Sequence, residues 1–189
     1  MKHLFFFILS KILLSQNFAY EKFQEYVKSP TGCVFQIKLK QSYNNENFVS
    51  NGVFYVKGKT YIYDNIEQYI KYENQFITTI NKLNKQIIYD SLKANDVTIF
   101  DILSGNQQNI SFYTSLDEGK QIRTPFGVKF WGIEGSIWTD KINGSPKKII
   151  FIQDEDLKVN IDVVSSTNDS LFNFPTFEVL DYEVINLVE

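Results

Sequence analysis

Little in this chain could do covalent chemistry: His3 is the one histidine and Cys33 the one cysteine. A Ser-His-Asp triad or a Cys-His dyad needs an imidazole beside its nucleophile. A zinc centre draws most of its ligands from His and Cys. His3 lies in the leader-like N-terminus, and a chain without it has no histidine, which removes these triads and dyads and most common zinc sites. Cys33 has no partner for an internal disulfide. Gly32-Cys33 superficially resembles a lipid-attachment site, but Pro30 and Thr31 precede it and it lies far past the N-terminal apolar run. It reads as a small buried residue of a first strand. Asp154, Glu155 and Asp156 form an acidic run in FIQDEDLKVNID. A calcium loop requires a different spacing and a glycine at its turn, so the run reads as the polar turn of a hairpin. There is no GxGxxG loop and no Walker lysine loop. A carboxylate pair of the kind that hydrolyses glycosides stays open, with no pattern pointing to one. The expectation is a protein that is not an enzyme, with no cofactor and no metal.

The elements around these residues are mostly strands. From Phe48 to Asp90 the segments FVSNGVFYV, KTYIYD, IEQYIKYE, QFITTIN and KQIIYD follow one another, separated by Asn, Gly, Lys and Asp. Each is strand-length and rich in β-branched and aromatic residues, the pattern of an antiparallel meander. Several of these strands are apolar at both alternating positions, where a one-sided sheet would alternate apolar and polar. The second apolar face must be covered. Before the meander, Glu21 to Lys28 suits a short helix stopped by Pro30, and Cys33 to Gln41 alternates Phe35, Ile37 and Leu39 with Gln36, Lys38 and Lys40. After it, Asn95 or Asp96 can cap a short helix in DVTIFDILSG, ended by Gly105. Gln107 to Pro125 is the least readable stretch, with a possible strand at Ile110 to Thr114 and a loop through Leu116 to Thr124. Strands resume with GVKFWGI, GSIWTD, KKIIFIQD and LKVNIDVV, and FEVLDYEVINL can add a last one. The total is roughly ten or eleven antiparallel strands, enough for a strongly curved sheet or an incomplete barrel.

The N-terminus, MKHLFFFILSKILLSQNFAYEK, has the layout of a secretory signal peptide: Lys2, an apolar run from Leu4 to Leu14, and a polar step to Ala19. Lys11 interrupts the run and Asn17 occupies the −3 position. The competing readings are an uncleaved anchor or a buried first helix, and the run is short for a span. The domain reading is a signal peptide at 1–19 and a single domain at 20–189. Cleavage would remove Lys2 and Lys11 from a chain whose net charge is −3. No basic patch stands out, so no nucleic-acid partner is expected.

The order of elements resembles the periplasmic carrier of outer-membrane lipoproteins, the LolA type, over most of the chain after residue 19. The matching residues are Phe35-Gln36 in the first strand, Gly52 to Lys57, Tyr61-Ile62-Tyr63, the turn from Asn81 to Gln86, the apolar helix from Thr98 to Asn106, and Phe172-Asn173-Phe174-Pro175. The resemblance implies a mainly β (α+β) fold: one curved antiparallel sheet forming a half-open β-barrel, with short helices as a plug or lid. It implies an exported, periplasmic monomer that receives acylated lipoproteins from an inner-membrane release complex and hands them to an outer-membrane acceptor. In such a fold the lipid-binding cavity would be lined by Phe54, Val56, Tyr61, Tyr63, Ile70, Tyr72, Ile80 and Trp138, with Ile99, Phe100 and Leu103 on the lid. Slipping any strand by one residue would exchange its faces, and the competing reading of the same residues is an ordinary filled core. Two positions depart from the family. Gly58, between Lys57 and Lys59, replaces an arginine that locks the lid in many members, and Thr78 stands where a tryptophan is usual. Three other functions stay open. One is an exported lipid- or protein-binding sensor domain on a similar sheet. Another is an exported enzyme with a carboxylate pair. The third is a secreted binding protein glycosylated at Asn109-Ile-Ser and Asn168-Asp-Ser.

Overall fold

The computed structural model describes residues 20–44, 46–93, 96–106, 108–153, 157–168 and 171–188. The expected leader and the acidic run of Asp154, Glu155 and Asp156 lie outside the described residues. Helix α1 covers residues 20–27. Tyr20, Phe23 and Val27 recur at helical spacing and are buried, while Glu21 and Glu25 face solvent. Six strands follow, β1 (Cys33–Tyr43), β2 (Glu46–Lys57), β3 (Thr60–Asn65), β4 (Gln68–Glu73), β5 (Phe76–Asn81) and β6 (Gln86–Ser91), each antiparallel to the one before. The expected meander is present. Its β4–β5 turn places Asn74 and Gln75 at φ 53° and 70°, a two-residue geometry that matches strand twist.

The remaining elements are α2 (Ile99–Leu103), β7 (Ser111–Phe112), β8 (Leu116–Glu118), β9 (Gln121–Val128), a 3₁₀ turn at Lys129–Trp131, β10 (Ile133–Asp140), β11 (Pro146–Gln153), β12 (Leu157–Thr167) and β13 (Glu183–Asn186). All thirteen described strands share one sheet, ordered β13-β6-β5-β4-β3-β2-β1-β12-β11-β10-β9-β7, with β8 also on β9. The first and last strands of that order do not pair with each other, so the sheet curves without closing. It is a half-open barrel, with short helices in its concave face.

Four readings of the sequence need correction. The stretch expected as a loop through Leu116 to Thr124 contains β8 and the start of β9. GVKFWGI is no continuous strand: β9 ends at Val128, and Lys129–Trp131 turns as a 3₁₀ helix closed by Gly132 at φ 62°. The expected helix starts later, because Thr98 caps it, while Asp96 instead accepts the Lys93 N–H (2.8 Å) in the preceding turn; Asn95 lies outside the described residues. The last strand, β13, is parallel to β6, where every strand was expected antiparallel.

The surplus apolar face of the meander has two separate covers. On the convex side Ile62, Tyr69, Ile80 and Ile87 form a small buried cluster beneath Tyr55, Phe174, Phe177 and Tyr182. The C-terminal segment lies across them: Tyr69 donates to the Pro175 carbonyl (3.0 Å), and the Tyr69 and Phe177 rings are 6.2 Å apart. It then joins the sheet edge as β13. Truncating Ile62 to alanine is expected to cost about 2–4 kcal/mol through this cluster. Urea midpoints would measure it. Apolar-probe binding by the folded fraction should stay unchanged, because Ile62 points away from the concave face.

Candidate functional site

Topology decides what fills the concave face. β6 and β9 lie toward opposite edges of the sheet. The chain between them must therefore pass across the opening, and α2 rides on that crossing. Phe100, Ile102 and Leu103 of α2 join the main core, which draws on β1, β2 and β3, on β9 to β12, and on α1.

The residues expected to line a cavity divide by strand parity. Phe54, Val56, Tyr61 and Tyr63 stand together on the concave face, and all are buried. Ile70 and Tyr72 share that face, half-buried. Ile80 does not: it belongs to the convex cluster. Trp138 does not either. Its neighbour Ile137 points into the core, so period-2 alternation turns Trp138 outward, where its ring N–H donates to Glu118 Oε2 (2.9 Å) and Lys148 Nζ lies 5.6 Å from the ring. On α2, Phe100 and Leu103 point inward. The Ile99 side chain lies outside the described residues.

The lining is a stripe of rings running across the strands. Centroid spacings are 6.4 Å for Tyr26–Phe35, 6.0 Å for Phe35–Phe54, 5.5 Å for Phe54–Tyr61 and 4.8 Å for Tyr61–Tyr72. Aromatics give such a wall much area and few rotors. Gly52 makes room for it: a Cβ there would sit 2.5 Å from the Tyr63 ring. The Tyr63 hydroxyl is held by Ser50 Oγ (2.9 Å) and by Asn65 Nδ2 (3.2 Å). Phe100 is pressed onto this wall, 5.3 Å from Phe54, 6.0 Å from Tyr61 and 4.9 Å from Tyr63.

A polar latch holds α2 in place. Thr98 and Asp101 form a capping box, with each side chain accepting from the other's backbone N–H. The Thr98 hydroxyl donates to Asp101 Oδ2 (2.8 Å) and stands 2.6 Å from the Tyr61 hydroxyl. Its one proton is committed to the carboxylate, so Tyr61 is the donor to Thr98. Burial, with the Asp101 charge adding to it, pushes the Tyr61 phenol far above its ordinary pKa and keeps that proton in place. Asn106 Nδ2 donates to Asp101 Oδ1 (3.0 Å). At the other end, Gly105 N–H bonds Ile102 O and Asn106 N–H bonds Asp101 O, a Schellman closure. Gly105 needs its φ of 71°, and a Cβ would meet Val27 of α1 at 2.7 Å. Gln24 Nε2 of α1 donates to the Gly105 carbonyl (3.1 Å). The latch went unread in the sequence, although Thr98 followed three residues later by Asp101 carries a visible capping signal. Gly58 and Lys59, at the departure from the family's arginine, border a polar groove on the far side of α2, beside Lys28 and Asn106.

On its other flank α2 borders an apolar cleft of about 260 Å³. Val97 and Ile102 form one wall, and Val128, Ile133, Phe151, Leu157 and Val159 form the other, with Gln41 and Gln153 at the edge. Pockets for drug-sized ligands run from about 300 Å³ upward. With α2 seated, the cleft can take the end of an alkyl chain and no more. Cys33, at the start of β1, is fully buried and donates to the Tyr26 carbonyl (3.0 Å). Desolvation pushes its thiol up to about 12, so it packs and does not react.

The fold is similar to that of an uncharacterised conserved protein from Thermus thermophilus, with a TM-score of 0.55 over 90% of this chain and 98% of that one, at 7% identity. Structural neighbours also include a LolA superfamily protein from Nitrosomonas europaea (13% identity, 85% of this chain and 95% of that one, TM-score 0.48). Another is a domain from Vibrio parahaemolyticus named for outer membrane lipoprotein sorting (6% identity, 82% and 92%, TM-score 0.46). No family model and no curated protein sequence matches the chain. At these identities the likeness is one of fold alone.

Proposed function

We propose that this protein is an exported, periplasmic carrier that shelters the acyl chains of lipoproteins against its concave aromatic face and hands them to an outer-membrane acceptor. One observation carries the reading: the wall that would hold an alkyl chain is occupied by Phe100, on a five-residue helix. A helix that short has no stability of its own, so its place depends on the latch and on the aromatic contact. The order of sequence motifs supports the same reading. The physical demand is clear: each exposed methylene costs ~0.8 kcal/mol, and one long acyl chain about 10 kcal/mol. Displacing Phe100 and Leu103 would exchange the protein's own apolar groups for the cargo's. Binding energy is thereby offset by the cost of opening, which keeps the cargo releasable without covalent chemistry.

The test is native mass spectrometry after mild purification, paired with displacement of an apolar fluorescent probe. The expected result is co-purified acylated peptide, or probe binding that Tyr63→Asp abolishes while far-ultraviolet circular dichroism still reports the sheet. A well-folded wild-type protein that binds no probe would mean a permanently filled core, and the carrier reading would be abandoned.

A further inference from the structure

The apolar cleft beside α2 opens at one end of the sheet, and that end carries exposed rings. Directly paired residues of an antiparallel ladder share a face. Phe48 is paired with Gln41 and Tyr43 with Leu157, and both Gln41 and Leu157 line the cleft. Across the mouth, the turn from Val128 to Ile133 joins two more lining residues and carries Phe130 and Trp131. Tyr43 is 50% exposed, Phe48 54%, Phe130 67% and Trp131 41%. Four large aromatics thus surround the mouth of one apolar cleft and remain exposed to solvent. A cluster of that kind marks a contact surface.

We propose that this rim docks on the interfacial layer of a phospholipid bilayer, so that an alkyl chain moves between membrane and cleft without crossing water. The inference rests on the carrier reading, and names where the cargo is exchanged. Trp and Tyr suit the headgroup level, where one end of the ring is wet and the other dry, and Phe adds apolar area that buries at the acyl boundary. Behind the rim, Val128, Ile133 and Leu157 lead along the cleft to Ile102 of α2. Charge identifies the kind of surface. Lys129 lies in the aromatic turn, and Glu46, paired with Tyr43, offsets it. Among the described residues the rim has no cationic excess to seek anionic lipid, so ring insertion carries the docking and a zwitterionic surface suffices.

The experiment uses the full chain with Trp138→Phe, which leaves Trp131 as the sole tryptophan, mixed with phosphatidylcholine vesicles with and without brominated acyl chains. Trp131 emission is expected to shift to the blue and to be quenched by the brominated chains, equally at low salt and at about 0.5 M salt. Phe130→Asp and Phe48→Asp, both at exposed positions, should each weaken the quenching at least about tenfold. Trp131 left unquenched, or quenched equally in both variants, overturns the proposal. Probe binding measured without vesicles keeps the two readings apart. Binding of probe without quenching removes the docking rim alone, whereas quenching without probe binding removes the carrier reading and leaves a membrane-docking surface.

Discussion

Phe100→Ala is expected to lower stability by about 3–5 kcal/mol and to make what remains depend on apolar ligand. The first part follows from burial: Phe100 is 5% exposed and stacked among Phe54, Tyr61 and Tyr63. The second part separates a plug from a core residue. In a filled core the vacancy would be closed off by its neighbours. Here the vacated site would lie under α2, beside an existing cleft lined by Ile102 and Phe151. A long-chain probe could extend from one into the other. Ligand that binds only the folded state stabilises by RT ln(1 + [L]/Kd), about 2.7 kcal/mol at a hundredfold excess over Kd. Urea titrations with and without probe should therefore show a larger ligand-dependent gain in the variant than in the wild type. Equal gains, or none in either, would place Phe100 in an ordinary core.

Legibility in the sequence followed the physics of each element. The meander was readable because its turns are short and polar and its strands are β-branched and aromatic. Its parity was not. In β5 both Thr79 and Ile80 are compatible with facing inward, since the convex side there has its own apolar cover. That cover comes from Phe174, Phe177 and Tyr182, which are distant in sequence from β5. No local pattern in the meander announces it, which is why Ile80 reads from sequence as a cavity residue; in β10 the pair Ile137-Trp138 leaves the inward side open, and the Glu118 that holds Trp138 outward belongs to β8, in the stretch that reads as a loop. β9 was hidden by Arg123, Thr124 and Pro125. Proline is tolerated there because β9 lies near the edge of the sheet, where its carbonyl still accepts the Tyr113 N–H (2.9 Å). The plug helix is readable from Ile99, Phe100 and Leu103 on one helical face and from Gly105 at its end, but its cap lies later than the sequence suggests. Asp96 and Thr98 are both good caps, and only the carboxylate of Asp101 decides between them.

That carboxylate is the next place to test. Among the described residues Asp101 is the one buried acidic side chain, 3% exposed. Its oxygens are satisfied by neutral donors: the Thr98 N–H, the Thr98 hydroxyl and Asn106 Nδ2. Asp101→Ala would strand all three and remove one half of the capping box. Each charge-assisted bond is worth about 1.5–3 kcal/mol, and the contributions overlap because the groups are coupled. A net loss of about 3 kcal/mol should fall on α2, which cannot refold alone. The expected result is local opening. The amides of Ser104, Gly105 and Asn106, bonded to Phe100, Ile102 and Asp101 carbonyls, should exchange roughly a hundredfold faster, at about 1.4 kcal/mol per factor of ten. Amides of β2 and β3 should keep their protection. Apparent probe affinity should rise with the open fraction, since a closed majority weakens apparent binding by the fraction that is competent. Tyr61→Phe, which removes only the donor to Thr98, should move both readouts the same way by less. If protection instead fell evenly across α2 and the sheet, the helix would be part of the cooperative core, and a displaceable plug would be the wrong description of it.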